Sequence, residues 1–227
     1  MLTESLPTTP QKLGAEAIGS FFLFAGVIGS GIMAEELAGG NVALTLLANA
    51  IATGAILYTL IAMMGPISGA HFNPAVTLAF WVRREINSAI AASFVAAQLA
   101  GGVMGAFAAH LMFGLPILQF STKTRTGIGQ WSGELIATFG LILTILLLLK
   151  HRASAIPAAV ALYITSAYWF TSSTSFANPA ITLVRSMTDS FAGIAPSDVL
   201  PFVMAQCVGT LIAIGCAHLL LRERSSR

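Results

Sequence analysis

The chain has 227 residues, of which 56% are apolar and only 9% are Asp, Glu, Lys or Arg, against about 25% in an ordinary soluble domain. So few charges cannot cover so much apolar surface in water, and the mean hydropathy of +0.83 excludes a disordered chain, a collagen-like fibre and a conventional water-soluble enzyme. What remains is an integral membrane protein, and a net charge of +2 gives no reason to expect nucleic acid.

In chain order, a short polar tail (1–12) precedes neutral tracts long enough to cross a bilayer, for which about 20 apolar residues suffice. Six spans are predicted, at 13–35, 42–64, 87–112, 131–150, 155–173 and 199–221. The first is read as retained, because no basic stretch with a cleavage site precedes it. Two neutral segments, 65–82 and 174–184 (the latter with a continuation to about 189), are too short to cross and open with small or polar residues. Irregular backbone at membrane depth survives only where protein buries it or where it lines a wet cavity. Both segments are therefore predicted as re-entrant loops, each ending in a short half-helix.

Lys12, Arg83, Arg84, Lys150, Arg152, Arg222, Arg224 and Arg227 fall on one side of this arrangement, and only Lys123, Arg125 and Arg185 on the other. The bias places both termini in the cytoplasm. Cys207 and Cys216 are too far apart along one helix to bridge and read as small core residues. Trp81, Trp131 and Trp169 fall near span ends, where Trp anchors at the interface. His110, His151 and His218 show no metal-ligand spacing.

The chain repeats itself. Glu16-Ala17-Ile18 is answered by Glu134-Leu135-Ile136. Asn73-Pro74-Ala75-Val76-Thr77-Leu78 is answered by Asn178-Pro179-Ala180-Ile181-Thr182-Leu183, and Gln98 by Gln206. The offsets are 118, 105 and 108 residues. The units are a first repeat at 13–113, a connecting loop at 114–128, a second repeat at 129–221 and a basic tail at 222–227, within one domain. Three spans per repeat is an odd number, so the halves insert in opposite orientation, with a site at the midplane between broken helices.

Proline suits the first turn of a helix and Asn the cap before it, so Asn73-Pro74 and Asn178-Pro179 mark half-helix starts. Two N-termini meeting at mid-membrane disfavour cations, and the Asn amides can donate to a passing oxygen. One such Asn reads equally as a mere cap; two in inverted halves favour a pore. Glu16 and Glu134 stand inside apolar spans, where an ionised acid costs at least roughly 2.5 kcal/mol. They are read as acceptors for unpaired N–H groups of the re-entrant loops rather than as a proton relay. Gln98 and Gln206 are assigned the same bracing role. Gly101 and Gly105 form a small-xxx-small packing pattern, and His71 precedes the first motif. No phosphate loop, catalytic triad or redox motif is present in the sequence.

Two Asn-Pro-Ala motifs in inverted halves of a six-span chain resemble the aquaporin and aquaglyceroporin family, over nearly the whole chain. The softer resemblance within it is to bacterial aquaglyceroporin-like channels associated with arsenic resistance. The resemblance implies an all-α membrane protein, a homotetramer in the plasma membrane with one pore per subunit, small neutral solutes as partners besides the lipid bilayer, no cofactor, and His71 near the cytoplasmic pore mouth. It also implies a departure. Most members carry Arg directly after the second Asn-Pro-Ala, where this chain has Ile181. Counting along ungapped loops places Thr53, Ser166 and Ser175 at the other outer-constriction positions, with Tyr163, Tyr168, Trp169 or Phe170 replacing Ser166 after a small shift. Arg185, at the far end of the half-helix, is not assigned the filter role. The expectation is a wide constriction without arginine, histidine or aromatic ring, passing glycerol, urea, undissociated arsenous acid or small organoarsenicals. Alternatives are a water-selective aquaporin, a secondary transporter and a closed-pore scaffold; an enzyme is the least favoured.

Overall fold

The structure is a computed structural model that describes residues 6–222. The helices are α1 (Thr9–Leu37), α2 (Val42–Ser68), α3 (Pro74–Val82), α4 (Ser88–Met112), α5 (Ile128–His151), α6 (Ile156–Phe170), α7 (Pro179–Arg185) and α8 (Pro196–Leu221), with a 3-10 turn (Ala153–Ala155) leading into α6. The described residues are all-α, with six helices long and apolar enough to cross a membrane. The basic residues Arg224 and Arg227 lie outside the described residues.

Helix starts follow local chemistry. Asn41 and Asn87 cap α2 and α4, their side-chain oxygens accepting from Leu44 N at 3.1 Å and Ile90 N at 2.9 Å. Pro10 sits in the first turn of α1, which begins at Thr9 and so takes in part of the expected tail. The boundary correction nearest the first motif is at α2. Residues 65–68, expected to open the first re-entrant loop, complete the helix instead. The helix stops at Gly69, whose left-handed backbone (φ 89°) lets its N–H reach the Gly65 carbonyl. At α6 the sign is opposite: the helix ends at Phe170 rather than 173, because Thr171 is extended.

Within each half the same pairs pack, α1 on α4 and α5 on α8, then α1 on α2 and α5 on α6. The halves join through α2 against α6 and through exchanged half-helices: α3 of the first half packs on α8, and α7 of the second on α4. Each span buries one face inward and leaves large apolar side chains outward, among them Ile51, Leu162, Met204 and Leu211. An exterior of this kind matches a hydrocarbon solvent.

Close approach of the spans depends on small residues. A Cβ on Gly101 would land on the Ala17 carbonyl of α1, and one on Gly209 on the Leu135 carbonyl of α5. Gly101→Val is expected to push α1 from α4 and cost roughly 1–3 kcal/mol. The measurement is a lowered melting temperature in detergent, against an unchanged value for Gly14→Ala, where nothing is near.

Candidate functional site

The two re-entrant loops are held by matching networks. Glu16 of α1 accepts from His71 N at 2.9 Å, Phe72 N at 2.8 Å, Ser68 Oγ at 2.7 Å and Gln98 Nε2 at 2.7 Å. Glu134 of α5 accepts from Phe176 N and Ala177 N, both at 2.8 Å, and from Gln206 Nε2 at 2.6 Å. Both carboxylates and both Gln side chains are fully buried. Each Gln also donates to a threonine, Gln98 to Thr77 at 3.1 Å and Gln206 to Thr182 at 2.8 Å. The threonines were not singled out from the sequence, although both Asn-Pro-Ala motifs carry one four residues after the Asn.

The loops they hold are strained. Ala70 and Phe72 in the first, and Ser175 and Ala177 in the second, have positive φ between 46° and 51°. Such geometry costs about 1–3 kcal/mol per residue and persists only where its surroundings over-determine it. The carboxylates do this by taking the N–H groups the strained turns cannot pair among themselves.

Those turns bring Asn73 and Asn178 together. Asn73 Nδ2 donates to the Ala177 carbonyl at 2.7 Å, and Asn178 Nδ2 to the Phe72 carbonyl at 2.8 Å. Their oxygens cap the half-helices, Asn73 accepting from Ala75 N and Asn178 from Ala180 N and Ile181 N. An amide carries two N–H donors, so each Asn keeps one for another acceptor. Pro74 and Pro179 open α3 and α7 directly behind them.

Around this pair runs a cavity of about 110 Å³. Its lining from α6 is Ile156, Val160, Ile164 and Tyr168, every fourth residue from the helix's first turn to its last. Thr53, Leu57 and Ile61 of α2 and Leu141, Ile145 and Leu149 of α5 line it at the same spacing. Spacing of four keeps side chains on one helix face. The cavity thus follows whole spans, from Phe80, Leu149 and Ile156 on the side of the chain termini to Thr53, Tyr168, Ser175 and Arg185 on the side of the connecting loop. Asn73 and Asn178 lie between.

Thr53, Ser175 and Ile181 line this cavity, and so does His71. Nδ1 of His71 is 3.1 Å from Thr77 Oγ1, and its ring packs on Phe80 and Phe94. Ser166 does not line it. Its side chain is exposed, its hydroxyl donates to the Tyr163 carbonyl at 2.8 Å, and it lies off the α6 stripe. Tyr168 takes that level of the wall, its hydroxyl 3.1 Å from that of Thr53. Arg185 also reaches the cavity. This end of the lining therefore holds the ring of Tyr168, one of the alternatives to Ser166 after a small shift, and an arginine that the sequence reading did not place there.

The connecting loop folds onto the segment after α7. Ser121 N donates to the Ser186 carbonyl at 2.9 Å, Ala195 N to the Lys123 carbonyl at 2.8 Å, and Arg125 N to Asp198 Oδ2 at 2.7 Å. Lys123 lies over the Phe191 ring, 4.5 Å from its centroid. Burial, reinforced by neighbouring Arg125, pushes its ammonium down to about 8, and burial alone dominates at Arg125, pushed down to about 10. Among the described residues no group of three His, Cys, Asp or Glu is placed to hold a metal ion.

Comparison with known proteins agrees with this geometry. The family described as major intrinsic protein matches residues 4–171. The chain is 51% identical over 212 residues to aquaglyceroporin AqpS of Rhizobium meliloti (strain 1021), covering 93% of this chain and 91% of that protein. It is 35% identical over 147 residues to nodulin-26 of Glycine max, covering 63% of this chain and 53% of that one. Among solved structures, the aquaglyceroporin from Plasmodium falciparum has the same fold, with a TM-score of 0.75 over 94% of this chain and 98% of that chain at 17% identity.

Proposed function

The chain belongs to the major intrinsic protein family, and on that premise we propose that it is a passive, bidirectional channel for glycerol-like polyols and water, and for undissociated arsenous acid or small organoarsenicals. The observation that carries the reading is the cavity wall: apolar stripes along whole spans, interrupted at the middle by two Asn amides with a donor to spare. Such a wall offers a neutral solute a few hydrogen bonds in place of its hydration and offers an ion almost none. The facing starts of α3 and α7 add partial positive charge against cations. We further assign it to the plasma membrane as a homotetramer, with both termini cytoplasmic on the basic-residue bias.

The test is light scattering from proteoliposomes after a sudden glycerol gradient. Fast shrinkage followed by fast re-swelling is the expected result. Shrinkage without re-swelling would establish a water-selective pore instead, a second reading that the ring of Tyr168 and the guanidinium of Arg185 at one end of the cavity favour. Flux that saturates or requires an ion gradient would point to a secondary transporter.

A further inference from the structure

We propose that the outward-facing groove between α3 and α4 is a binding site for an anionic phospholipid, with the lipid phosphate at Arg84 and an acyl chain along the groove, in the leaflet on the side of the chain termini. The groove has a volume of about 500 Å³ and shares no lining residue with the central cavity. Pro74, Thr77, Leu78 and Trp81 of α3 form one wall, and Ala92, Ala96 and Leu99 of α4 the other. Both sets recur at intervals of three and four, so each is a single helix face. Ala92 and Ala96 are exposed, and their small side chains leave the slot open outward.

The length and direction of the groove fit one leaflet. Helix α3 starts at the Asn pair in the middle of the molecule and runs toward the side of the chain termini, so Pro74 is the deep end and Trp81 the outer end. At about 1.5 Å per residue, the stretch from Pro74 to Trp81 covers about 10 Å of the roughly 15 Å depth of one hydrocarbon leaflet. Thr77 is the polar side chain of the inner part, and it is turned inward. Its hydroxyl donates to the Asn73 carbonyl at 3.1 Å and accepts from Gln98 Nε2 at 3.1 Å. An acyl chain laid here meets apolar wall with no polar group left to satisfy. The opposite face of α3 carries Val76 and Phe80 into the central cavity, so the lipid would back the half-helix that forms the cavity wall.

The outer end carries the chemistry of a headgroup. Trp81 is 44% exposed, and its indole N–H donates to Ser88 Oγ at 3.0 Å across the mouth of the groove. Amphipathic rings of this kind sit at headgroup level. The turn 83–87 follows directly and folds back on α3, Arg84 N donating to the Trp81 carbonyl and Glu85 N to the Phe80 carbonyl, both at 2.9 Å. Arg83 is paired with Glu85, whereas Arg84 is exposed and forms no ion pair among the described residues. One net positive charge therefore stands at the mouth. Helix α4 begins beside it with no acid in its first turn, and its N-terminus adds partial positive charge. A guanidinium with its donors uncommitted matches phosphate oxygens. An apolar slot one leaflet deep, an interfacial Trp and a free cation at phosphate level together complement an anionic lipid better than a second protein helix, which would have to bring its own acid to this depth.

The experiment reads quenching of Trp81 by lipids brominated on their acyl chains. The full chain carries Trp131→Phe and Trp169→Phe, which leaves Trp81 as the last of its three tryptophans. It is reconstituted in phosphatidylcholine vesicles containing brominated phosphatidylglycerol or brominated phosphatidylcholine. Half-maximal quenching is expected at a mole fraction about fivefold lower for the anionic lipid, the preference that one basic residue at the membrane surface supplies. Arg84→Asn removes the charge and suits the left-handed backbone there (φ 62°), and the preference is expected to vanish. Arg152→Gln, at the end of α5 on the same side, is expected to keep it. Ala92→Phe/Ala96→Phe fills the slot from exposed positions and is expected to weaken quenching by both lipids. Equal quenching by the two lipids in the parent means ordinary boundary lipid and overturns the proposal, as does a preference that survives Arg84→Asn. Quenching by neither lipid means that a second copy or another chain covers the groove, and overturns it too. None of these readouts depends on solute flux, so they stand or fall apart from the channel reading.

Discussion

Glu134→Gln is expected to cost the fold on the order of 3–5 kcal/mol and to abolish solute flux. The carboxylate takes two backbone N–H groups and the Gln206 amide with its two oxygens, at 2.6–2.8 Å. A glutamine offers one acceptor oxygen and turns its NH₂ toward a donor. One strained turn, Phe176 or Ala177, would then keep a buried N–H with nothing to receive it, and Ser175 and Ala177 would lose what holds them at positive φ. The loop would relax, taking Asn178 and Phe176 with it. The expected result is a markedly lower melting temperature in detergent and little glycerol re-swelling from the protein that survives. Glu16→Gln should behave alike, since Glu16 holds His71, Phe72 and Gln98 in the same way. Glu36→Gln, at an exposed acid one residue before the end of α1, is the control and should change neither. A Glu134→Gln protein as stable and as conductive as the parent would mean that the carboxylate is incidental to the loop.

The contrast between those acids and the pore wall shows what this sequence discloses. Glu16 and Glu134 stand out because an acid in an apolar span is costly, and Asn73 and Asn178 because the same motif recurs at an offset of 105 residues. The six spans are legible for the same reason, as neutral tracts between charges. The pore-facing stripe is not. Ile156, Val160 and Ile164 are apolar like the outward-facing Leu162, so periodicity cannot separate the side that faces the cavity from the side that faces lipid. Counting back from Asn178 to Ser166 runs across 171–178. Thr174, Ser175 and Ala177 there turn through left-handed backbone, so equal counts are not equal distances. Arg185 reads in the sequence as a cation at a helix end, a placement that favours the dipole on its own. Only the fold reveals that its last turn faces the cavity and that Phe176, 42 residues beyond Glu134, lies beneath it.

Ile181→Arg should reduce glycerol permeation at least roughly tenfold, equivalent to about 1.4 kcal/mol at the barrier, and slow water less. Ile181 is 5% exposed and lines the cavity close behind Asn178, whose oxygen accepts its N–H at 3.3 Å. A longer, charged side chain there must project along the cavity, because Ala180 and Thr182 on either side are buried against protein. It would meet the wall that Thr53, Tyr168 and Ser175 build at the loop-side end. It would also stand one turn from Arg185, and like charges at that spacing repel. The new guanidinium is thereby pushed away from the existing one and toward the Asn pair, where the passage is crowded. Water needs less width than a polyol, so the ratio of glycerol to water permeability should fall. Re-swelling traces in a glycerol gradient measure both rates at once. An unchanged ratio would place the narrowest point elsewhere, at the end formed by Phe80, Leu149 and Ile156, and would make Ile181 a wall residue without influence on what passes.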